Sequence, residues 1–85
     1  MRYNLVYTRR ALKDIQALES HVQKRIGKAL LKYSDNPFFY AQKISDPNLG
    51  SYRFRIGDYR VIFDIEDDNI VVLRVGHKKE IYRRK

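Results

Sequence analysis

No cysteine occurs among the 85 residues, which excludes disulfides, thiolate nucleophiles and thiolate metal sites together. Tryptophan is also absent, and no segment is low in complexity. No apolar run exceeds the four residues 70–73, far short of a membrane span, and the opening MRYNLVYTRR has no signal-peptide apolar region. These absences predict a cytoplasmic protein without membrane contact. Acids are scarce as well: ten stand against eighteen lysines and arginines, for a net charge of +8. That surplus on so small a domain points to a nucleic acid or an acidic protein as partner. A chain of this length builds one core, so a two-domain enzyme is excluded and residues 1–85 are read as one domain.

Residues 2–7, rich in Tyr, Leu and Val, predict a short strand. Thr8 is placed to cap a helix over 9–19, with Ala11, Leu12, Ile15 and Leu18 on its apolar face and Arg9, Arg10, Lys13 and Asp14 pointing away. Ser20 and Gln23 have capping-box spacing, and Val22, Ile26, Ala29, Leu30 and Tyr33 mark the buried face of a second helix that stops before Pro37. Residues 37–50 read as a surface loop carrying Phe38, Phe39 and Tyr40. A meander follows: SYRFRI, YRVIFDI and IVVLRVG, joined by Gly57 and Asp58 and by an acidic turn. The expected class is α+β in the order β-α-α-β-β-β. A helical hairpin packs on one face of a four-stranded, mainly antiparallel sheet and leaves the other face open for function.

The chemistry concentrates on that second face. In SYRFRI the apolar residues alternate with Arg53 and Arg55, and a two-residue turn at Gly57 and Asp58 sets Arg55 directly opposite Arg60. Like charges across a sheet are destabilising, so folding alone does not ask for this cluster. Guanidinium groups match phosphate oxygens, which makes an RNA or DNA backbone the natural ligand. The bland alternative is a set of solvated strand positions whose stems cover apolar surface. Arg74 joins the patch if the loop around Asp67 and Asp68 has three residues and turns inward if it has two or four.

The ending RVGHKKEIYRRK interleaves His77 and Tyr82 with six basic residues, against the alternative of a frayed, solubilising tail. RNA cleavage would need a 2′-hydroxyl deprotonated, the phosphorane stabilised and the 5′-oxygen protonated. Arginine serves only the second need, so the proton movers are sought among His77, Lys78, Lys79, Glu80 and Tyr82. Tyr82 is the preferred base, with base stacking as its other role; His77 is catalytic or lies at the patch edge. His21 reads as a surface residue. Neither a metal nor a cofactor is expected: Asp64, Glu66, Asp67 and Asp68 read as a solvated hairpin end, and no phosphate-binding glycine loop is present.

Three segments, NPFFYAQKI, YRFRIGDYRVIF and VGHKKEIYR, make nearly the whole chain resemble the RelE/ParE superfamily of type II toxins, closest to the RelE-type mRNA interferases. The resemblance implies a small sheet with a helical hairpin, and messenger RNA cleavage in the ribosomal A site. By position it implies catalytic roles for Arg53, Arg55, Arg60, Lys78 and Tyr82, with Lys78 standing where many members have arginine. Lys43, Arg74, His77, Lys79 and Arg83 complete the expected RNA-binding set. It also implies a RelB-like antitoxin that wraps the toxin, with ribosome and mRNA as further partners. The alternatives are a ParE-type, non-enzymatic toxin directed at DNA gyrase and a nucleic-acid-binding module without catalysis.

Overall fold

Thr8 sets the first corner of the chain. The computed structural model describes residues 2–82, and in it strand β1 (Asn4–Tyr7) leads into Thr8, whose hydroxyl accepts the Ala11 N–H at 3.1 Å and starts helix α1 (Arg9–Gln16). Helix α2 (Ser20–Tyr33) buries Val22, Ile26 and Leu30, as its spacing predicts. The capping box does not form. Glu19 occupies the cap position, and the Gln23 amide donates instead to the Leu18 carbonyl at 2.8 Å.

The expected loop holds two short elements. Pro37, whose missing N–H costs nothing in a first helical turn, opens the one-turn helix α3 (Pro37–Tyr40). Strand β2 (Gln42–Lys43) follows and adds a fifth strand to the expected four. Two paired residues are too few to show an alternating pattern in the sequence. Strands β3 (Tyr52–Ile56), β4 (Tyr59–Glu66) and β5 (Asn69–His77) form the meander, and a one-turn helix α4 (Lys78–Ile81) ends the described chain. The sheet order is β1-β5-β4-β3-β2. Only β1 and β5 are parallel, so the sheet is mainly antiparallel and the α+β class holds.

Phe54, Val61, Phe63, Ile70, Val72 and Val75 of the sheet meet Ala11 of α1 and Val22, Ile26 and Leu30 of α2 in one core. The Phe54 and Phe63 rings stack with centroids 4.2 Å apart. Burying each contributes about 1.5–3 kcal/mol, enough to outweigh a like-charge cross-strand pair costing roughly 0.2–1 kcal/mol. Helix α1 departs from its predicted orientation. Ala11 is fully buried while Leu12 is 47% exposed, because the small residue lets the helix approach the edge of β5 closely. That approach turns Asp14 inward, against the expectation that it points away.

The second face is only partly open. Ile62, on that face opposite Arg53, is fully buried. Gly50 lies against it: a Cβ there would stand 2.8 Å from Ile62 Cγ2 and 3.0 Å from Leu73 Cδ1, so glycine is what admits the loop. Asp64 is not a solvated hairpin residue either, since its carboxylate accepts the Ser51 N–H at 2.8 Å and fastens the same loop. Ile81 of α4 is buried and faces Gly76. On the arginine half of the face Arg55 is exposed, while Arg53 and Arg60 are half-buried.

Candidate nucleic-acid interface

The pleat of β3 sends Phe54 and Ile56 toward the helices and Arg53 and Arg55 to the second face. Gly57, at φ +60 in the first central position of the turn, closes the hairpin so that Ile56 pairs with Tyr59 and Arg55 with Arg60. The three arginines therefore share one face, in the register the sequence predicts. Among the described residues no carboxylate forms an ion pair with any of them.

Each arginine is held differently. Arg53 Nε donates to Gln42 Oε1 at 3.1 Å, and its Nη1 donates to the Tyr82 hydroxyl oxygen at 3.1 Å. The guanidinium carbon also lies 5.7 Å from the centre of the Tyr82 ring. Arg60 Nη1 donates to the Gly57 and Tyr59 carbonyls at 2.9 and 2.8 Å, which folds its side chain onto the turn. Arg55 is exposed between them.

Lys78 reaches the same turn from the chain's other end. Its N–H donates to the Asp58 carbonyl at 2.8 Å, and its Nζ lies 3.6 Å from the Asp58 carboxylate. Helix α4 is capped by His77, whose Nδ1 accepts the Lys79 N–H at 3.1 Å. One turn of helix then carries the chain across Gly76 and delivers Tyr82 to Arg53.

Other expected residues are placed elsewhere. Lys43 pairs with Tyr52, whose ring belongs to the helical side, so the neighbour of Arg53 on the arginine face is Gln42. His77 pairs with Tyr59 and meets its ring edge-on at 5.6 Å, which sets it with the helical side of the sheet and makes it a cap residue. Arg74 follows a two-residue turn, which by alternation alone would send it inward. A bulge between Ile62 and Phe63 leaves Leu73 without an opposite residue and sets Arg74 opposite Ile62. Its guanidinium turns to the edge of β5, where Nε donates to Asp14 at 2.8 Å. Lys79 is exposed on α4, and Arg83 lies outside the described residues.

Gln42 was not singled out by the sequence, where Lys43 drew attention by its charge; only the pairing of β2 with β3 identifies it. A cavity of about 320 Å³, lined by Asp14, Leu18, Tyr59, His77 and Glu80 among others, opens beside β5, and neither Tyr82 nor any of the three arginines lines it. Among the described residues no cluster of three or more His, Asp or Glu could hold a metal, and no helix is long and apolar enough to cross a membrane.

Comparison with known proteins agrees with this fold. Residues 5–82 match the family model of the ParE toxin of the type II toxin–antitoxin system parDE. The mRNA interferase toxin RelE of Escherichia coli K12 is 30% identical over 87 residues, covering 96% of this chain and 92% of that protein. The intact E. coli RelBE toxin–antitoxin complex contains a chain of TM-score 0.74 at 25% identity, covering 88% of this chain and 95% of that one. The RelBE2 toxin–antitoxin complex of Mycobacterium tuberculosis shares the fold with TM-score 0.82 at 24% identity, covering 91% of this chain and 99% of that one. This chain belongs to the RelE/ParE superfamily of type II toxin–antitoxin toxins.

Proposed function

We propose that this toxin is a ribosome-dependent endoribonuclease that cleaves messenger RNA in the A site. The observation that carries the proposal is the Arg53–Tyr82 hydrogen bond, which joins the strand arginines to the chain's last aromatic residue on the second face of the sheet. Arg53, Arg55 and Arg60 hold the scissile phosphate and stabilise the charge of the phosphorane. Two of the five Arg53 N–H groups are used, by Gln42 and Tyr82, which leaves three for phosphate oxygens.

Tyr82 accepts from Arg53 and so keeps its own hydroxyl hydrogen free to address a substrate. As base, its oxygen takes up the proton of the 2′-hydroxyl while its own hydrogen passes to a phosphate oxygen, and the 2′-oxygen bonds to phosphorus; in its other role the ring stacks on a base. The bond from phosphorus to the 5′-oxygen breaks, that oxygen takes up the proton carried by the phosphate, and Lys78 beside the turn supports the leaving group or the transition state. No metal enters this scheme. Lys79 and Arg83 extend the basic surface, and Lys43, Arg74 and His77 contribute only at its margins, given their other neighbours. The E. coli relative is named an mRNA interferase, which supports the reaction class.

A RelB-like antitoxin is the proposed partner, since the chain of 25% identity is part of a toxin–antitoxin complex and an acidic chain would neutralise the arginine face. Action on ribosomes sets the protein in the cytoplasm. Programmed ribosomes test the reading: wild type cuts the message, while Arg60→Ala and Tyr82→Ala do not. Tyr82→Phe separates proton transfer, which it abolishes, from stacking, which it keeps. Undiminished cutting by both alanine variants would remove the mechanism.

One observation favours a second reading. The matching family model is that of ParE, so a non-enzymatic toxin acting on DNA gyrase is the competing proposal. An intact message together with a fall in gyrase supercoiling would establish it.

A further inference from the structure

We infer that Gln42 is a positioning residue, which aims the Arg53 guanidinium at the Tyr82 hydroxyl. The inference deepens the nuclease reading and rests on it for its catalytic consequence. The geometry starts with the shortest strand of the sheet. The antiparallel pairing of β2 with β3 sets Gln42 directly opposite Arg53, on the same face. From there Gln42 Oε1 accepts the Arg53 Nε–H at 3.1 Å.

An arginine on an open face has several free torsions, and one hydrogen bond leaves its planar group free to turn about that bond. Two bonds from different edges of the plane fix it. Gln42 holds the Nε edge from β2, and Tyr82 takes Nη1 from the end of the chain, after α4. The remaining N–H groups then point in set directions, as a phosphate contact requires. Glutamine suits the task better than a carboxylate would. It accepts from Nε without cancelling the positive charge, so the guanidinium stays available to an anion.

The exposure of Gln42 separates this role from a structural one. A solvent-accessible side chain on a two-residue edge strand adds little to stability, so Gln42→Ala leaves the unfolding midpoint in place. What changes is the orientation of Arg53. Single-turnover cleavage on programmed ribosomes then slows by about 10-fold to 100-fold, the scale of a misplaced contact, while the concentration of toxin that half-saturates the ribosomes is unchanged.

Two measurements decide the matter. In ¹⁵N-labelled toxin the Arg53 Nε–H resonance exchanges slowly with water; Gln42→Ala makes that exchange fast and shifts the Tyr82 ring signals, and Gln42→Glu, which keeps an acceptor at the same reach, restores the slow exchange. In a double-mutant cycle with Arg53→Lys, which has no Nε–H to hold, Gln42→Ala costs nothing further. An unchanged Arg53 resonance in Gln42→Ala, or an equal rate loss in both backgrounds, overturns the inference. If wild type fails to cut the message, the nuclease reading falls, and the resonance alone still decides whether Gln42 holds Arg53.

Discussion

Asp14 and Arg74 meet across the free edge of β5, with Arg74 Nε donating to the Asp14 carboxylate at 2.8 Å. The same carboxylate oxygen accepts the Val75 N–H at 3.0 Å, in the stretch of β5 beyond its last pairing with β1. Helix α1 thus completes the sheet edge where β1 leaves it, and Thr8 assists by donating its hydroxyl to the Leu73 carbonyl at 3.3 Å.

Removing that carboxylate therefore strands a backbone donor and a cation together. Asp14→Ala is expected to lower the unfolding free energy by about 2 kcal/mol, within the range for hydrogen bonds to charged groups. Arg10→Ala, which breaks only the exposed 3.5 Å contact to the same residue, should cost about 0.3–0.5 kcal/mol or less. Urea denaturation of the two variants checks both values, and an Asp14→Ala loss no larger than that of Arg10→Ala would show that the edge contact contributes nothing.

The same corner shows where the sequence was legible and where it was not. The hairpin register that faces Arg55 with Arg60 followed from the pleat and from a turn that needed glycine, because both are local rules. Helix α2 was legible because one face is apolar over its whole length. Arg74 was not. Its place depended on turn length and on a bulge at Leu73, and a bulge changes the side-chain parity without a marker in the residue types. Asp14 reads as a solvated acid among arginines on α1; only the tertiary approach of Ala11 to β5 brings it inward. His77 looked like part of the basic face, yet pairing with Tyr59 assigns it to the other side. Gln42 carried no charge to draw notice, although it accepts the Arg53 Nε–H.

The Gly57 turn makes a second prediction about stability. At φ +60 an L-residue other than glycine is strained, and a Cβ would also lie 2.5 Å from Arg25 Nη2. Gly57→Ala should cost about 1–2 kcal/mol, the price of a left-handed backbone. Arg25 is exposed, and its guanidinium can swing aside, so the loss resides in the backbone. The double variant Gly57→Ala/Arg25→Ala should be no more stable than Gly57→Ala alone in thermal melts. Recovery on adding Arg25→Ala would instead make side-chain crowding the cause.

Tyr7 links stability to alkaline pH. Burial at the end of β1 raises its phenol above the ordinary tyrosine value, because the anion is poorly solvated there. The folded chain then holds this proton more tightly than the unfolded chain. Its stabilising contribution is complete below pH about 10 and is lost as the pH climbs through the raised value. Urea midpoints measured across that range should fall less steeply for Tyr7→Phe than for wild type. Identical slopes would mean that Tyr7 titrates alike in both states.

Arg55 offers the sharpest separation of folding from function. It faces Arg60 directly, and among the described residues it makes none of the side-chain hydrogen bonds that anchor Arg60 and Arg53. Arg55→Thr removes the like-charge contact and supplies a residue that suits an exposed strand, so stability should hold or rise by about 0.2–1 kcal/mol. Cleavage on ribosomes should fall by about 10-fold to 100-fold, the equivalent of one charge-assisted contact to a phosphate. A variant that is at once more stable and less active would show that the cluster is maintained for a ligand against the preference of the fold. A loss of stability with full activity would assign Arg55 to the scaffold and leave the phosphate to Arg53 and Arg60 alone.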